Sequence, residues 1–274
     1  VYDEKVTVPT NKQRLHLIGQ SAEKTIITWN DYARKAGSTG YEMGTSATST
    51  VFLYGSDFLA ENITFQNTAG EGKEIGQACA ITVDADRVAF INCRFIANQD
   101  TIYTYGKGQR QYFRNCWIEG TTDFIFGAST CWFEDCTILS KRDSYITAAS
   151  TPENEEFGYV FKNCRLIHND DALKVYLGRP WRSYAKTVFI DCELGDHIRP
   201  EGWHNWDKPY AEKTSFYAEY GSKGPGAAGT RVKWSHTLKE KDLKKYTPEN
   251  VLKCGSEQDK NGVNVQTEWY FKVF

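Results

Sequence analysis

Short runs of Val, Ile, Phe and Tyr alternate along the chain with Asn, Asp, Gly and Thr. Apolar positions recur every second residue, the period of a strand whose side chains point to opposite faces. Long amphipathic helical stretches are missing before residue 237. This texture predicts many short strands joined by turns. One segment repeats: Phe, any residue, Asn or Asp, Cys, any residue, apolar. Its copies are Phe90-Ile-Asn-Cys-Arg-Phe95, Phe113-Arg-Asn-Cys-Trp-Ile118, Phe133-Glu-Asp-Cys-Thr-Ile138, Phe161-Lys-Asn-Cys-Arg-Leu166 and Phe189-Ile-Asp-Cys-Glu-Leu194. A weaker copy, Ala60-Glu-Asn-Ile-Thr-Phe65, has Ile63 in the cysteine slot.

Successive cysteines of the repeat, from Cys93 to Cys192, lie 23, 20, 28 and 28 residues apart. A recurring unit of that length marks a stacked architecture. Phe, Cys and the last apolar residue do not share one alternating face, so a bend at Asn or Asp is expected between two short strands. Stacked units of this kind make an all-β parallel β-helix in which each slot becomes a ladder along the axis. The whole chain, 1–274, reads as one such domain. Residues 237–253 look helical and charged, broken at Pro248. With the rest of 237–274 they are expected to cover an open end as a C-terminal helical and loop cap. Gly221–Gly229 reads as a glycine-rich loop.

The even count of eight cysteines suggests disulfides, but five occupy one ladder that also accepts Ile. They are expected to be buried free thiols acting as small apolar groups. Cys131 and Cys136, with a strand between them, are expected not to bridge. No compact Cys/His cluster stands in the sequence, so no metal is expected. Asn62-Ile-Thr64 has the form of a glycosylation site, yet its slot argues for a buried turn Asn. The net charge of −2 gives no basic excess for nucleic acid. No apolar run reaches the ~20 residues that span a bilayer.

Several polar residues are left over by the repeat. Asp100 follows Cys93 by seven residues and Asp123 follows Cys116 by seven. The frame therefore sets both carboxylates at one point of adjacent coils, about 4.8 Å apart along the stack. Two carboxylates so placed split their proton affinities, one protonated and one ionised, as acid–base plus nucleophile chemistry requires. The alternative is a pair of aspartates that cap their own turns. Gln77, Asn98-Gln99 and Leu177-Gly-Arg179-Pro-Trp181 flank this region in the repeat order. The five histidines are scattered, and no Gly-x-Ser-x-Gly elbow is present, which disfavours a serine triad.

These segments converge on a family. Gly76-Gln-Ala-Cys-Ala80, Asn98-Gln-Asp-Thr-Ile-Tyr103, Gly120-Thr-Thr-Asp-Phe-Ile-Phe-Gly127 and Leu177-Gly-Arg-Pro-Trp181 resemble signature segments of pectin methylesterases. Gly44-Thr-Ser-Ala-Thr-Ser-Thr50 and Asp57-Phe-Leu-Ala-Glu-Asn-Ile-Thr-Phe-Gln-Asn67 resemble that family's earlier blocks. The resemblance implies a right-handed parallel β-helix and hydrolysis of methyl esters in homogalacturonan. It implies Asp123 as nucleophile, Asp100 as general acid and then base, and Gln77 and Gln99 as oxyanion donors. Arg179 would orient Asp123 and keep it ionised. Trp181 would wall the sugar site, with Tyr103, Phe126 and Trp203 as further sugar platforms and Thr45 as a substrate contact. No metal or organic cofactor is implied, and pectin is the expected partner of a monomer. A polymeric substrate implies a secreted or periplasmic protein. Family members carry a first strand and short helix before Val1-Tyr-Asp-Glu-Lys5, so the N-terminal cap is expected to be absent from this chain. The rivals are a lyase or polygalacturonase on the same fold, and a non-catalytic carbohydrate-binding β-helix.

Overall fold

The computed structural model describes residues 1–37, 40–253, 256–258, 264–266 and 269–271. Three parallel sheets carry the chain. The first has eight strands, from Tyr2–Asp3 to Glu193–Leu194; the second has seven, from Val6–Val8 to Tyr176–Gly178; the third has nine, from His16–Ile18 to His236–Thr237. Successive coils visit the three sheets in turn, each strand pairing with its counterpart one coil away, and after Glu193–Leu194 only the third sheet continues. The result is a parallel β-helix.

The repeat is the corner between the third and first sheets. Asn62, Asn92, Asn115, Asp135, Asn163 and Asp191 all have φ between 52° and 58°. Asn and Asp tolerate this left-handed conformation better than other non-glycine residues. Each corner N–H donates to a carbonyl of the next coil, as in Asn115 N to Glu134 O at 3.0 Å. Side chains extend the ladder: Asn115 Nδ2 donates to Asn92 Oδ1 at 2.7 Å, and Asn92 Nδ2 to Asn62 Oδ1 at 3.3 Å. Asn62 is half-buried rather than buried, because the corner projects its amide along the flank of the stack.

Inside the corner, Phe and Cys form two ladders. Phe113, Phe133, Phe161 and Phe189 stack with ring centroids 4.4–4.6 Å apart and planes within 15°. Each ladder thiol lies against a carbonyl of the preceding coil, as Cys164 Sγ to Phe133 O at 3.5 Å. The seven described cysteines are free and buried, Cys131 and Cys136 among them; Cys254 lies outside the described residues. Burying five thiols and five phenyl rings in register puts much of the hydrophobic stabilisation on this one edge, at roughly 1.5–3 kcal/mol per fully buried large side chain.

The C-terminal segment has a different seat from the expected one. It does form short helical turns, Glu240–Lys244 and Pro248–Val251, with Thr247 capping the second by accepting from Asn250 N at 3.3 Å. Pro248 opens that turn rather than breaking a helix, since a first-turn proline has no N–H to lose. The segment runs along the outer face of the third sheet instead of across the end. Leu238, Val251, Leu252, Trp269 and Tyr270 pack there on Tyr112, Trp132, Val160 and Val188. The end of the core after Leu194 is met by Ala227, Val232 and Trp234.

Candidate active site

The outer face of the second sheet carries the cleft. Asp100 and Asp123 stand just before the paired strands Ile102–Thr104 and Ile125–Gly127, in which Ile102 lies opposite Ile125. Both aspartates have positive φ, 67° and 49°. Their backbones are tied into the ladder: Asp100 N donates to Thr122 O at 3.0 Å and Asp123 N to Tyr145 O at 2.8 Å. Thr101 Oγ1 fixes the first turn by donating to Glu119 O at 2.8 Å, and Thr122 and Ser144 share a hydroxyl bond of 2.8 Å beside the second.

A cleft of about 410 Å³ gathers Thr45, Gln77, Gln99, Asp100, Tyr103, Asp123, Phe126, Arg179 and Trp181, with Ser46, Ala148 and Trp206. Arg179 grips Asp123 at two points: Nε to Oδ1 at 2.9 Å and Nη2 to Oδ2 at 2.6 Å. Its guanidinium is held between the rings of Tyr145 and Trp206, 3.9 and 3.6 Å from their centroids. A planar cation between two π faces loses little by leaving water and cannot rotate away from its carboxylate.

The two carboxyls sit in unequal fields. Burial, and then the charge of Asp123, push Asp100 well above the ordinary carboxylate range, against a smaller opposing pull from Arg179. Burial also raises Asp123, but here the hydrogen bonds and charge of Arg179 oppose it, helped by Lys208. Both carboxyls are thus raised, Asp100 the more strongly, so a proton shared by the pair favours Asp100 and Arg179 favours the ionised form of Asp123. Gln77 and Gln99 lie on neighbouring coils, linked by the bond from Ala78 N to Gln99 O at 3.1 Å, and both line the cleft.

Aromatic residues form the rest of the surface. Tyr103 stacks on Phe126 at 4.2 Å, and Trp181 leans over both at 6.0 and 5.8 Å. Beneath them lie buried Cys79 and Ala148. Trp203 is not among them. It is 1% exposed, in the core, stacked 4.4 Å from Tyr217 and tilted against Phe189. The loop turns between Trp203 and Trp206, whose φ is 56°, and it is Trp206 that reaches the cleft. Sequence reading missed Trp206, Tyr145 and Lys208. Lys208 Nζ donates to the carbonyls of Pro180 and Trp181 at 3.1 and 3.0 Å and so clamps the loop that presents Trp181. No local motif sets any of the three apart from structural aromatics and surface lysines.

The pectinesterase family model matches residues 1–255. The chain belongs to the pectinesterase family. With that family it falls among the carboxylic ester hydrolases. It is similar to pectinesterase 31 of Arabidopsis thaliana, 43% identical over 245 residues that cover 87% of this chain and 76% of the relative. Against the probable pectinesterase/pectinesterase inhibitor 21 of the same plant, identity is 39% and the chain spans only 38% of the relative's length. Among solved structures it resembles the pectin methylesterase from carrot, with a TM-score of 0.84, 34% identity, and 92% and 81% of the two chains covered. It also resembles a pectin methylesterase in complex with a hexasaccharide, with a TM-score of 0.78, 29% identity, and 92% and 85% covered. Among the described residues no helix is long and apolar enough to cross a membrane.

Proposed function

We propose that this chain hydrolyses the methyl esters of galacturonate units in homogalacturonan and releases methanol. The observation that carries the reading is Asp123, forked by Arg179, beside the more deeply buried Asp100 of the adjacent coil in an aromatic-walled cleft.

A carboxylate is a weak nucleophile, so it needs a fixed attack geometry and a stabilised oxyanion. Asp123 adds to the ester carbonyl carbon. The Gln77 and Gln99 amides donate to the oxygen that becomes negative; losing one such donor typically costs about two to three orders of magnitude in rate. Asp100 gives its proton to the methoxy oxygen, the C–O bond breaks, and methanol leaves. Asp123 and the galacturonate carbonyl are then joined as an anhydride. Asp100, now ionised, takes a proton from water, whose oxygen attacks the same carbonyl carbon. The anhydride opens, Asp123 is regenerated, and Asp100 is again protonated. Tyr103, Phe126, Trp181 and Trp206 offer flat apolar faces to sugar rings, and Thr45 a hydroxyl at the rim. No step calls for a metal or organic cofactor. A polymeric wall substrate fits a protein acting outside the cytoplasm, as a monomer whose cleft is complete within one chain.

The test is Asp123→Asn on highly methylated pectin. The variant is expected to keep its circular dichroism spectrum and melting transition and to lose methanol release by at least about three orders of magnitude. New reducing ends or unsaturated products from the parent protein would assign it to a hydrolase or lyase of the backbone instead. Full methanol release by the variant would remove Asp123 from the role.

A further inference from the structure

Outside the cleft, His168, Asp196 and His197 meet at one corner of the stack. One ligand-type atom from each lies within 4.8 Å of the others. His168 ends a strand of the first sheet, and Asp196 and His197 follow the next strand of that sheet, Glu193–Leu194. The 28-residue separation of His168 from Asp196 is one turn of the helix, which is why no compact cluster stands out in the sequence.

His168 Nδ1 lies 2.7 Å from the carbonyl of Asn169. A carbonyl only accepts, so Nδ1 carries the proton. In the neutral ring Nε2 is then a bare lone pair, and it faces Asp196 Oδ1 at 2.9 Å. Two lone-pair atoms at that distance need a cation between them, a second proton or a metal ion. His197 distinguishes the two. It is 1% exposed, neither ring nitrogen has a hydrogen-bond partner among the described residues, and its ring packs 4.6 Å from the His168 ring at a tilt of 32°. An ion pair between His168 and Asp196 leaves that buried, unpartnered imidazole unaccounted for, at a cost of about 1–3 kcal/mol. A shared metal ion uses it.

We propose that His168 Nε2, an Asp196 carboxylate oxygen and a ring nitrogen of His197 bind one divalent transition-metal ion of the zinc class. Two imidazoles and one carboxylate suit zinc and disfavour calcium or magnesium, which take oxygen ligands. The bond from His168 Nδ1–H to a backbone carbonyl is the outer contact that orients a metal-bound histidine. Bonds of about 2.0–2.2 Å require the three atoms to draw together; the exposed side chain of Asp196, 73% accessible, has the freedom to do so. The ion would join two coils just ahead of the strand Tyr176–Gly178, because Val175 N donates to His197 O at 2.8 Å.

The experiment titrates the metal-stripped full chain with zinc chloride by calorimetry and follows thermal unfolding with and without zinc. One zinc ion per chain is expected, with a higher melting temperature. Asp196→Asn, on an exposed side chain, and His168→Gln, on a partly buried one, both checked by circular dichroism, are each expected to weaken binding at least about tenfold while methanol release stays at the parent level. Calcium chloride at the same concentration is expected to give no such binding. Failure to bind zinc would overturn the proposal and leave His168–Asp196 as an ion pair. Zinc binding unchanged in both variants would overturn it equally, by placing the ion elsewhere.

Discussion

Replacing Arg179 by methionine keeps an apolar stem between Tyr145 and Trp206 and removes the charge. The fork to Asp123, at 2.9 and 2.6 Å, disappears with it. Breaking a buried ion pair from one side costs about 3–5 kcal/mol, because the remaining charge is stranded. Arg179 is 17% exposed at its side chain, which argues for the low end. Asp123 can escape the cost by taking up a proton. Arg179 favours its ionised form, so without Arg179 the carboxyl stays protonated to higher pH and the nucleophile is lost on the acid side. At about 1.4 kcal/mol per factor of ten, the acid limb of the rate–pH profile moves up by about two pH units. Arg179 also lowers Asp100, though as the smallest of its influences, so the alkaline limb moves up less. The optimum therefore shifts to alkaline pH and the bell narrows. Arg179→Lys keeps a charge without the fork or the stacking, and its profile should fall between the two. Initial rates of methanol release across the pH range, with melting curves as a control, measure this. A profile that is lower at every pH but not displaced would refute the reasoning, since Arg179 would then act on something other than the ionisation of Asp123.

Asp100→Asn should abolish turnover yet raise the melting temperature at neutral and alkaline pH. The folded-state proton affinity of Asp100 lies above its unfolded value, so its favourable contribution is fully present only at low pH and is lost as pH rises through the folded value. The neutral amide removes that loss, and each kcal/mol recovered is worth about 2–4 °C, with little gain expected in acid. Trp181→Ala should raise KM with little change in melting temperature, whereas Trp203→Ala should cost about 3–5 kcal/mol of stability, read from denaturant unfolding, because it empties a core site. Asn115→Ala should lower stability by about 1–2 kcal/mol through its left-handed φ of 52°, and Asn115→Gly by less; equal losses would put the effect in the side-chain ladder instead.

The stack itself was legible because its signals are local and repeated. Phe, Asn or Asp, and Cys recur at a fixed offset, and each has one physical role, a ring ladder, a left-handed corner and a small buried group. The register of Asp100 with Asp123 followed from the same offset. The pairing of Arg179 with Asp123 did not: 56 residues and two coils separate them, and only the family resemblance joined them. Trp203 and Trp206 lie three apart in an irregular loop, where neither period tells which ring faces inward. The seat of the C-terminal segment left a readable trace. Val88-Ala-Phe-Ile91 and Thr130-Cys-Trp-Phe133 are buried along their whole length, so the third sheet must be covered on both faces. Helical periodicity in residues 237–253 speaks only of local form, not of that destination.

The ladder bonds from Asp100 N to Thr122 O and from Asp123 N to Tyr145 O make the sheet a ruler for the proposed reaction. Side chains held on loops shift as the loops breathe, and their spacing can be retuned by adding or removing a residue. Here the turns that hold the two aspartates are themselves hydrogen-bonded from coil to coil, so the spacing of the pair follows the stacking distance of the sheet. The interval between the proposed nucleophile and acid is thus set by the architecture. Reactivity in such an enzyme can be adjusted only through what surrounds the pair, namely the fork of Arg179, the depth of Asp100 and the amides of Gln77 and Gln99. The loops at the other corners are free to diverge for the polymer they meet.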